Sequence, residues 1–120
     1  GPARYERLGL ERDRIEAALG DLAQPNVTAD RVPHVSSLFV PGARGDELVA
    51  ALDLAGLSVS SGSACSAGSS EPSPALSAML GDERALGSIR LSLGDATRPA
   101  EVDRAISVLI RLLSARRANP

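Results

Sequence analysis

The sequence predicts an α/β (α+β) domain, in which a small mixed or antiparallel sheet of about three strands is covered by helices. The chain has 120 residues, 43% of them apolar, which suits one domain with one hydrophobic core. Several charged segments carry apolar residues at helical spacing, and short segments between them alternate apolar and polar residues. The predicted order is helix, strand, helix, strand, loop, helix, strand, helix.

The first half of the chain predicts two helices and two strands. Residues 4–22 are charged and carry an apolar stripe at helical spacing. Prolines interrupt residues 23–33, which predicts a loop, and residues 34–40 ("HVSSLFV") predict a strand before the turn "PGARG". Residues 46–56 begin with acidic side chains suited to a helix N-terminus, and residues 57–60 alternate briefly as a strand does.

The second half predicts a short helix, a strand and a long closing helix. Ser73 offers a side-chain N-cap and Pro74 suits the first helical position of a helix over residues 74–80. Residues 87–94 ("GSIRLSLG") alternate apolar and polar residues and form the clearest strand of the chain. Residues 97–117 carry a continuous apolar stripe and end in arginines, which suit the helix dipole.

Composition excludes several classes of function. Aromatic residues make up 2% of the chain and its formal net charge is −2, so it offers neither a stacking platform nor a basic stripe for nucleic acid. No apolar run approaches the roughly 20 residues that cross a bilayer, and the N-terminus has no secretory-signal pattern. We therefore expect a cytoplasmic protein that binds neither nucleic acid nor membrane.

The same sequence sets expectations for its ends and for metals. Gly1 and Pro2 resemble the remnant of a cleaved expression tag, which leaves residues 3–120 as a single domain. One cysteine and one histidine, His34, cannot assemble a four-ligand zinc site or an internal disulfide, so no metal is expected. His34 has no carboxylate partner close in sequence and is interpreted as a structural residue.

Cys65 lies in the unusual segment "SSGSACSAGSSEPSP". A free cysteine is usually a small buried hydrophobe, but serine, glycine and alanine provide little with which to bury it. The segment is therefore interpreted as a flexible loop that presents a nucleophilic thiol, and its lack of basic residues requires that the thiol be activated from elsewhere. The predicted flexible residues around the thiol are Ser61, Gly62, Ser63, Ala64, Ser66, Ala67 and Gly68.

Arg90 is the second candidate site residue. An exposed arginine on a strand is more often solvated than ligand-binding. Alternation nevertheless places Arg90 on the same face as Ser88 and Ser92, where a guanidinium among hydroxyls suits a carboxylate.

The chain contains no lysine, since all 13 basic residues are arginine. Chemistry that needs an amine nucleophile, such as a Schiff base with pyridoxal phosphate, cannot be completed by this chain alone.

"SSGSACSAGSSEPSPAL" and, further along, "GSIRLSLGDATRPAEVDRAI" together resemble the C-terminal small domain of the cysteine desulfurases. The segment "VPHVSSLFVPGARGDELVAALDLAGLSVSSGSAC" resembles what precedes the cysteine in that family, so the likeness covers residues 4–117. The length of the cysteine loop resembles the NifS-like and IscS-like branch, which serves iron–sulfur cluster assembly. The resemblance implies the C-terminal domain of a class V aminotransferase-type enzyme, that is, of fold type I.

The resemblance also implies a reaction and roles for the two candidates. Members of the family use pyridoxal phosphate to convert L-cysteine to L-alanine, and a mobile-loop cysteine receives the sulfur as a persulfide. Cys65 matches that nucleophile, and Arg90 matches the arginine that binds the substrate carboxylate. The parent enzymes are homodimers that pass sulfur to an acceptor or scaffold protein.

The cofactor-binding residues of the family lie on a large domain that this sequence lacks. We therefore expect no pyridoxal phosphate on the isolated chain and no activity from it. Two alternatives remain: a stand-alone persulfide carrier or interaction module, and a domain of a related class V aminotransferase. The loop thiol argues against transamination, which does not need one.

Overall fold

The computed structural model describes residues 2–26, 35–54, 59–61, 63–66, 69–94 and 97–118. The sequence predictions that concern Gly1, His34, Gly62, Ala67 and Gly68 lie outside the described residues.

Apart from one short helix, the described helices follow the predicted segments closely. Helix α1 spans Pro2–Leu19 and continues into a 3-10 turn at Gly20–Leu22, which begins where Gly20 takes a positive φ of 55°. Helix α2 spans Gly45–Leu54 and α3 spans Pro74–Leu80. The remaining helices are α4 (Asp82–Leu86) and α5 (Pro99–Ala118).

Within the described residues, four strands form the main sheet and two form a separate hairpin. The main sheet comprises β1 (Gln24–Pro25), β2 (Val35–Phe39), β3 (Val59–Ser61) and β6 (Ser88–Ser92). Its order is β1-β2-β6-β3, and every pairing is antiparallel. The hairpin pairs β4 (Ser63–Ser66) with β5 (Ser69–Pro72). The predicted α+β class with a small antiparallel sheet is confirmed.

The hydrophobic core lies on one face of the main sheet, beneath α1, α2 and α5. Ile89 and Leu91 of β6 point into it, as the alternation of residues 87–94 predicts. Leu52 of α2 and Leu109 of α5 are fully buried there. This packing leaves the other face of the sheet, which carries Arg90, free of the long helices.

Polar contacts fasten α1 to its neighbours. Arg14 hydrogen-bonds to Asp103 of α5 and to Glu11 one turn earlier, and both bonds raise the pKa of Arg14 above its ordinary value. Ser36 of β2, only 2% exposed, donates a hydrogen bond to Glu16. Within the described residues, no helix is long and apolar enough to cross a membrane.

Three local predictions need correction. The loop predicted over residues 23–33 contains β1, because Gln24 and Pro25 complete an edge of the sheet beside β2. Helix α4 was not predicted, since five residues are too few to show a helical period. Ser73 precedes α3 as predicted, but its Oγ accepts no hydrogen bond from a backbone N–H of the first turn.

The segment predicted as an irregular loop also differs from the expectation. Ser61 ends β3, whereas Ser63, Ala64 and Ser66 lie in β4. Strand pairing needs only backbone groups, so a segment poor in apolar side chains still forms a hairpin. The mobility of this segment remains a prediction.

Among the glycines whose surroundings the structure describes, Gly45 has the least room for an added Cβ. A Cβ there would lie 2.3 Å from the carbonyl oxygen of Ser88, because the start of α2 runs directly against β6. We expect Gly45→Ala to lower the free energy of unfolding by about 3 kcal/mol, since backbone must move on one side or the other. Urea unfolding measures the change.

Gly94→Ala is the matched control for Gly45→Ala. The nearest atom to an added Cβ at Gly94 is 4.0 Å away, and we expect its effect to stay within about 0.5 kcal/mol. Equal stabilities of the two variants would contradict the close approach of α2 to β6.

Candidate functional site

Arg90 occupies the centre of the sheet face opposite the core. It lies in β6, an interior strand, and its side chain is exposed as the alternation predicted. Within the described part of the chain, the guanidinium group makes no ion pair and no hydrogen bond. An interior strand therefore presents the Arg90 guanidinium, without an ion-pair partner among the described residues, on an exposed polar surface.

Serines flank Arg90 on both neighbouring strands. Ser37 of β2 and Ser60 of β3 are its partners in register, so all three side chains share one face. Directly opposed residues in antiparallel strands have Cβ atoms about 5 Å apart, within reach of a single small ligand. Both serines are half-buried. The expected companions differ from these: Ser92 is exposed on the same face, but Ser88 is buried.

A hydrogen-bonded cluster lies beside Ser37 on the same face. The amide nitrogen of Asn26 donates to Ser37 Oγ at 3.0 Å and to Ser88 Oγ at 2.9 Å. The amide oxygen of Asn26 accepts from Nε of Arg84 at 2.6 Å. The guanidinium carbon of Arg84 lies 4.7 Å from the ring centroid of Phe39, in a cation–π contact. We call Asn26, Arg84, Ser37 and Ser88 the amide cluster.

Local sequence reasoning missed the amide cluster. Asn26 and Arg84 are 58 residues apart, and neither belongs to a recognisable motif. The strand order β2-β6-β3, which places Ser37 and Ser60 beside Arg90, cannot be seen in any one segment. Only the period-two alternation around Arg90 was a usable signal.

Cys65 lies in β4, and its backbone pairs in register with Ser70 of β5. The chain passes directly from β3, where Ser60 is opposite Arg90, into the strand that contains Cys65. At about 3.5 Å per residue, the five residues from Ser60 to Cys65 span at most ~18 Å. The connection therefore tethers the thiol-bearing residue to the neighbourhood of Arg90, as a shared site requires.

No competing metal site emerges. Within residues whose side chains are described, no three His, Cys, Asp or Glu side chains group closely enough to hold a metal ion.

A groove of about 310 Å³ opens beside the end of β6, and Ile15, Val59 and Val102 contribute to its apolar lining. These three residues lie on the core side of the sheet, whereas the Arg90 side chain lies on the opposite face.

Comparison with known proteins connects this arrangement to a family. A scan against protein-family models finds no match. The chain is 40% identical over 114 residues to a cysteine desulfurase of Cereibacter sphaeroides, covering 91% of this chain and 30% of that protein. It is 40% identical over 111 residues to cysteine desulfurase IscS of Methylococcus capsulatus, covering 89% of this chain and 27% of the relative. The chain is homologous to the C-terminal region of the cysteine desulfurases.

The fold agrees with this homology. A NifS-like protein superposes with a TM-score of 0.78 at 25% identity, covering 95% of this chain and 29% of that structure. A putative sugar aminotransferase of Streptococcus pneumoniae, at 22% identity and a TM-score of 0.64, shares the fold alone. The chain thus spans about 30% of the length of the cysteine desulfurases that it matches. The predicted resemblance to that family is confirmed.

Proposed function

We propose that this chain is the sulfur-accepting and carboxylate-binding part of a pyridoxal-phosphate-dependent cysteine desulfurase. The proposal rests on one observation: the chain connects the Cys65 segment to the strand beside Arg90 through only a few residues. Cys65 follows within five residues of Ser60, and Ser60 is the register partner of Arg90. Homology over 91% of the chain supports the same assignment.

In this proposal Arg90 orients the substrate and Cys65 receives its sulfur. The guanidinium group offers paired N–H donors that match the two oxygens of the L-cysteine carboxylate. In the net reaction the carbon–sulfur bond of L-cysteine breaks and a sulfur–sulfur bond forms at Sγ of Cys65. The carbon takes a proton to give L-alanine, and the persulfide is left on Cys65 for an acceptor protein of iron–sulfur cluster assembly or of another sulfur-trafficking pathway.

The residues of this chain do not fit pyridoxal phosphate as a resident cofactor. The cofactor reacts with an amine, and the chain has no lysine to provide one. We therefore assign cofactor binding to a separate region, in the same polypeptide or in another, and call the combination of that region with this chain the complete enzyme. The proposal keeps residues 3–120 as one domain and places it, with that region, in a cytoplasmic homodimer.

The chain alone is the first test of this division of labour. Supplied with pyridoxal phosphate and L-cysteine, it is expected to release no alanine and to retain no borohydride-reducible cofactor. The complete enzyme, with one alanine formed for each sulfur released, is the positive control. Alanine production by the isolated chain, or cofactor reduced onto it, would contradict the proposal.

A stand-alone persulfide carrier is the second candidate, because the single cysteine lies on a segment separate from the main sheet. The isolated chain is mixed with an active desulfurase and L-cysteine, and its intact mass is measured. A gain of one sulfur atom, absent in Cys65→Ser, would favour the carrier. An unchanged mass, together with alanine formation by the complete enzyme, favours the desulfurase domain.

A further inference from the structure

The amide cluster has a fixed hydrogen-bond direction. A guanidinium group has donors and no acceptor, so the Asn26 atom that faces Nε of Arg84 must be the amide oxygen. The amide nitrogen of Asn26 must then face Ser37 and Ser88, at 3.0 Å and 2.9 Å from their hydroxyl oxygens. Arg84 therefore determines the orientation of the Asn26 amide without any ambiguity between oxygen and nitrogen.

This direction obliges the serine oxygens to accept. An amide nitrogen donates both of its hydrogens, so each serine must direct its own hydroxyl hydrogen elsewhere. The hydroxyl of Ser88 donates to the backbone oxygen of Arg84 at 2.6 Å. The hydroxyl hydrogen of Ser37 has no acceptor among the residues that the structure describes.

Ser37 therefore lies beside Arg90 as a hydroxyl donor for which the described part of the chain offers no acceptor. The two residues are register partners on one face, and Arg90 likewise has no anion among the described residues. A cation and an adjacent hydroxyl donor can bind one carboxylate together, because a carboxylate accepts through two oxygens.

We propose that Ser37 is a second ligand of the carboxylate that Arg90 binds, and that Asn26 and Arg84 are positioning residues that hold its hydroxyl in the donor orientation. This inference rests on the carboxylate-binding role proposed for Arg90. Asn26 is well placed for the task, since its backbone N–H also donates to the backbone oxygen of Ser37 at 2.9 Å. The cation–π contact of Arg84 with Phe39 anchors the far end of the cluster.

The experiment is a titration of the isotope-labelled chain with acetate, followed by NMR at constant ionic strength. Acetate is expected to shift the Arg90 Nε–H and the Ser37 amide resonances along one saturable curve, and Arg90→Gln is expected to abolish it. Ser37→Ala should raise the dissociation constant roughly fivefold, because one charge-assisted hydrogen bond is lost. Ser37→Thr keeps a hydroxyl and should restore the affinity to within about twofold.

Ser107→Ala is the matched control, because Ser107 is an exposed serine of α5 and lies away from the sheet face that carries Arg90. It should change the affinity less than about twofold. If Ser37→Ala weakens acetate binding no more than Ser107→Ala does, this inference is overturned while Arg90 keeps its role. Failure of the unmodified chain to bind acetate at Arg90 would overturn both.

Asn26→Asp tests whether Asn26 sets the orientation of the Ser37 hydroxyl. A carboxylate still accepts from Arg84 but must now also accept from the Ser37 hydroxyl, which reverses that hydroxyl. Acetate affinity should fall at least as far as in Ser37→Ala, although Ser37 is intact, and the loss should persist at high salt. A loss that disappears at high salt would assign the effect to the added charge and overturn the positioning role. Thermal unfolding of each variant verifies that the fold is retained.

Discussion

Cys65→Ser in the complete enzyme is expected to reduce alanine formation at least about 1000-fold while leaving the binding of L-cysteine unchanged. Serine is nearly isosteric with cysteine, but its hydroxyl is a far weaker nucleophile than a thiolate and cannot form a persulfide. No other residue of the chain replaces the lost sulfur, since Cys65 is its one cysteine. Alanine release and substrate-induced changes in cofactor absorbance measure the two quantities separately.

The neighbouring substitution Ser66→Ala is the control for Cys65→Ser. Ser66 also lies in β4, and its backbone pairs with Ser69, so the hairpin experiences a comparable side-chain change. Its alanine formation should stay within about threefold of the unmodified enzyme, because no nucleophile is removed. Mass spectrometry of the unmodified enzyme should place one extra sulfur on the peptide that contains Cys65. Turnover retained by Cys65→Ser would show that another sulfur accepts the transfer.

Sequence reasoning succeeded where the determining interactions are local. Pro74 cannot sit inside a helix but suits its first position, and α3 indeed spans Pro74–Leu80. The alternation around Ile89 and Leu91 reflects the two faces of one strand, and β6 buries both residues as predicted. The positive φ of Gly20 likewise marks the change from α1 to a 3-10 turn, near the predicted stop.

Sequence reasoning failed where the environment of a residue is determined by distant parts of the chain. The alternation of residues 87–94 places Ser88 on the face of Arg90, but it does not indicate that Ser88 is 1% exposed and hydrogen-bonded to Asn26 and to the backbone of Arg84. Likewise, the two-residue strand β1 exists through its pairing with β2, and no alternation pattern can appear in two residues. Such contacts become visible only when the strand order is known.

The candidate site divides in the same way. Arg90 could be found from the alternation of one segment, whereas its register partners Ser37 and Ser60 required the order β2-β6-β3. Cys65 was singled out by its composition, which says nothing about backbone pairing, and the β4–β5 hairpin was therefore missed. The candidate residues Cys65 and Arg90 could be found from their local sequence, but the residues that surround them in the fold could not.

Arg90→Gln in the complete enzyme is expected to raise KM for L-cysteine about 100-fold and to change kcat less than about tenfold. Glutamine keeps a hydrogen-bond donor but loses the charge and the paired N–H geometry that fit a carboxylate. Arg90 is exposed and unpaired among the described residues, so its replacement should leave the fold intact. Arg104→Gln, an equal change of charge at an exposed position of α5, is the control and should leave KM unchanged.

A substrate without a carboxylate separates this role of Arg90 from a general effect of charge. Cysteamine has the amine and thiol of cysteine but offers no anion to a guanidinium group, so Arg90→Gln should process it about as well as the unmodified enzyme does. The preference for L-cysteine over cysteamine, measured as the ratio of their kcat/KM values, should therefore fall by the same factor as kcat/KM for L-cysteine, which is about 100 or more. If the Arg90→Gln enzyme kept this preference, the carboxylate of L-cysteine would have to bind elsewhere. The exposed Arg90 guanidinium on this face of the sheet would then need another explanation.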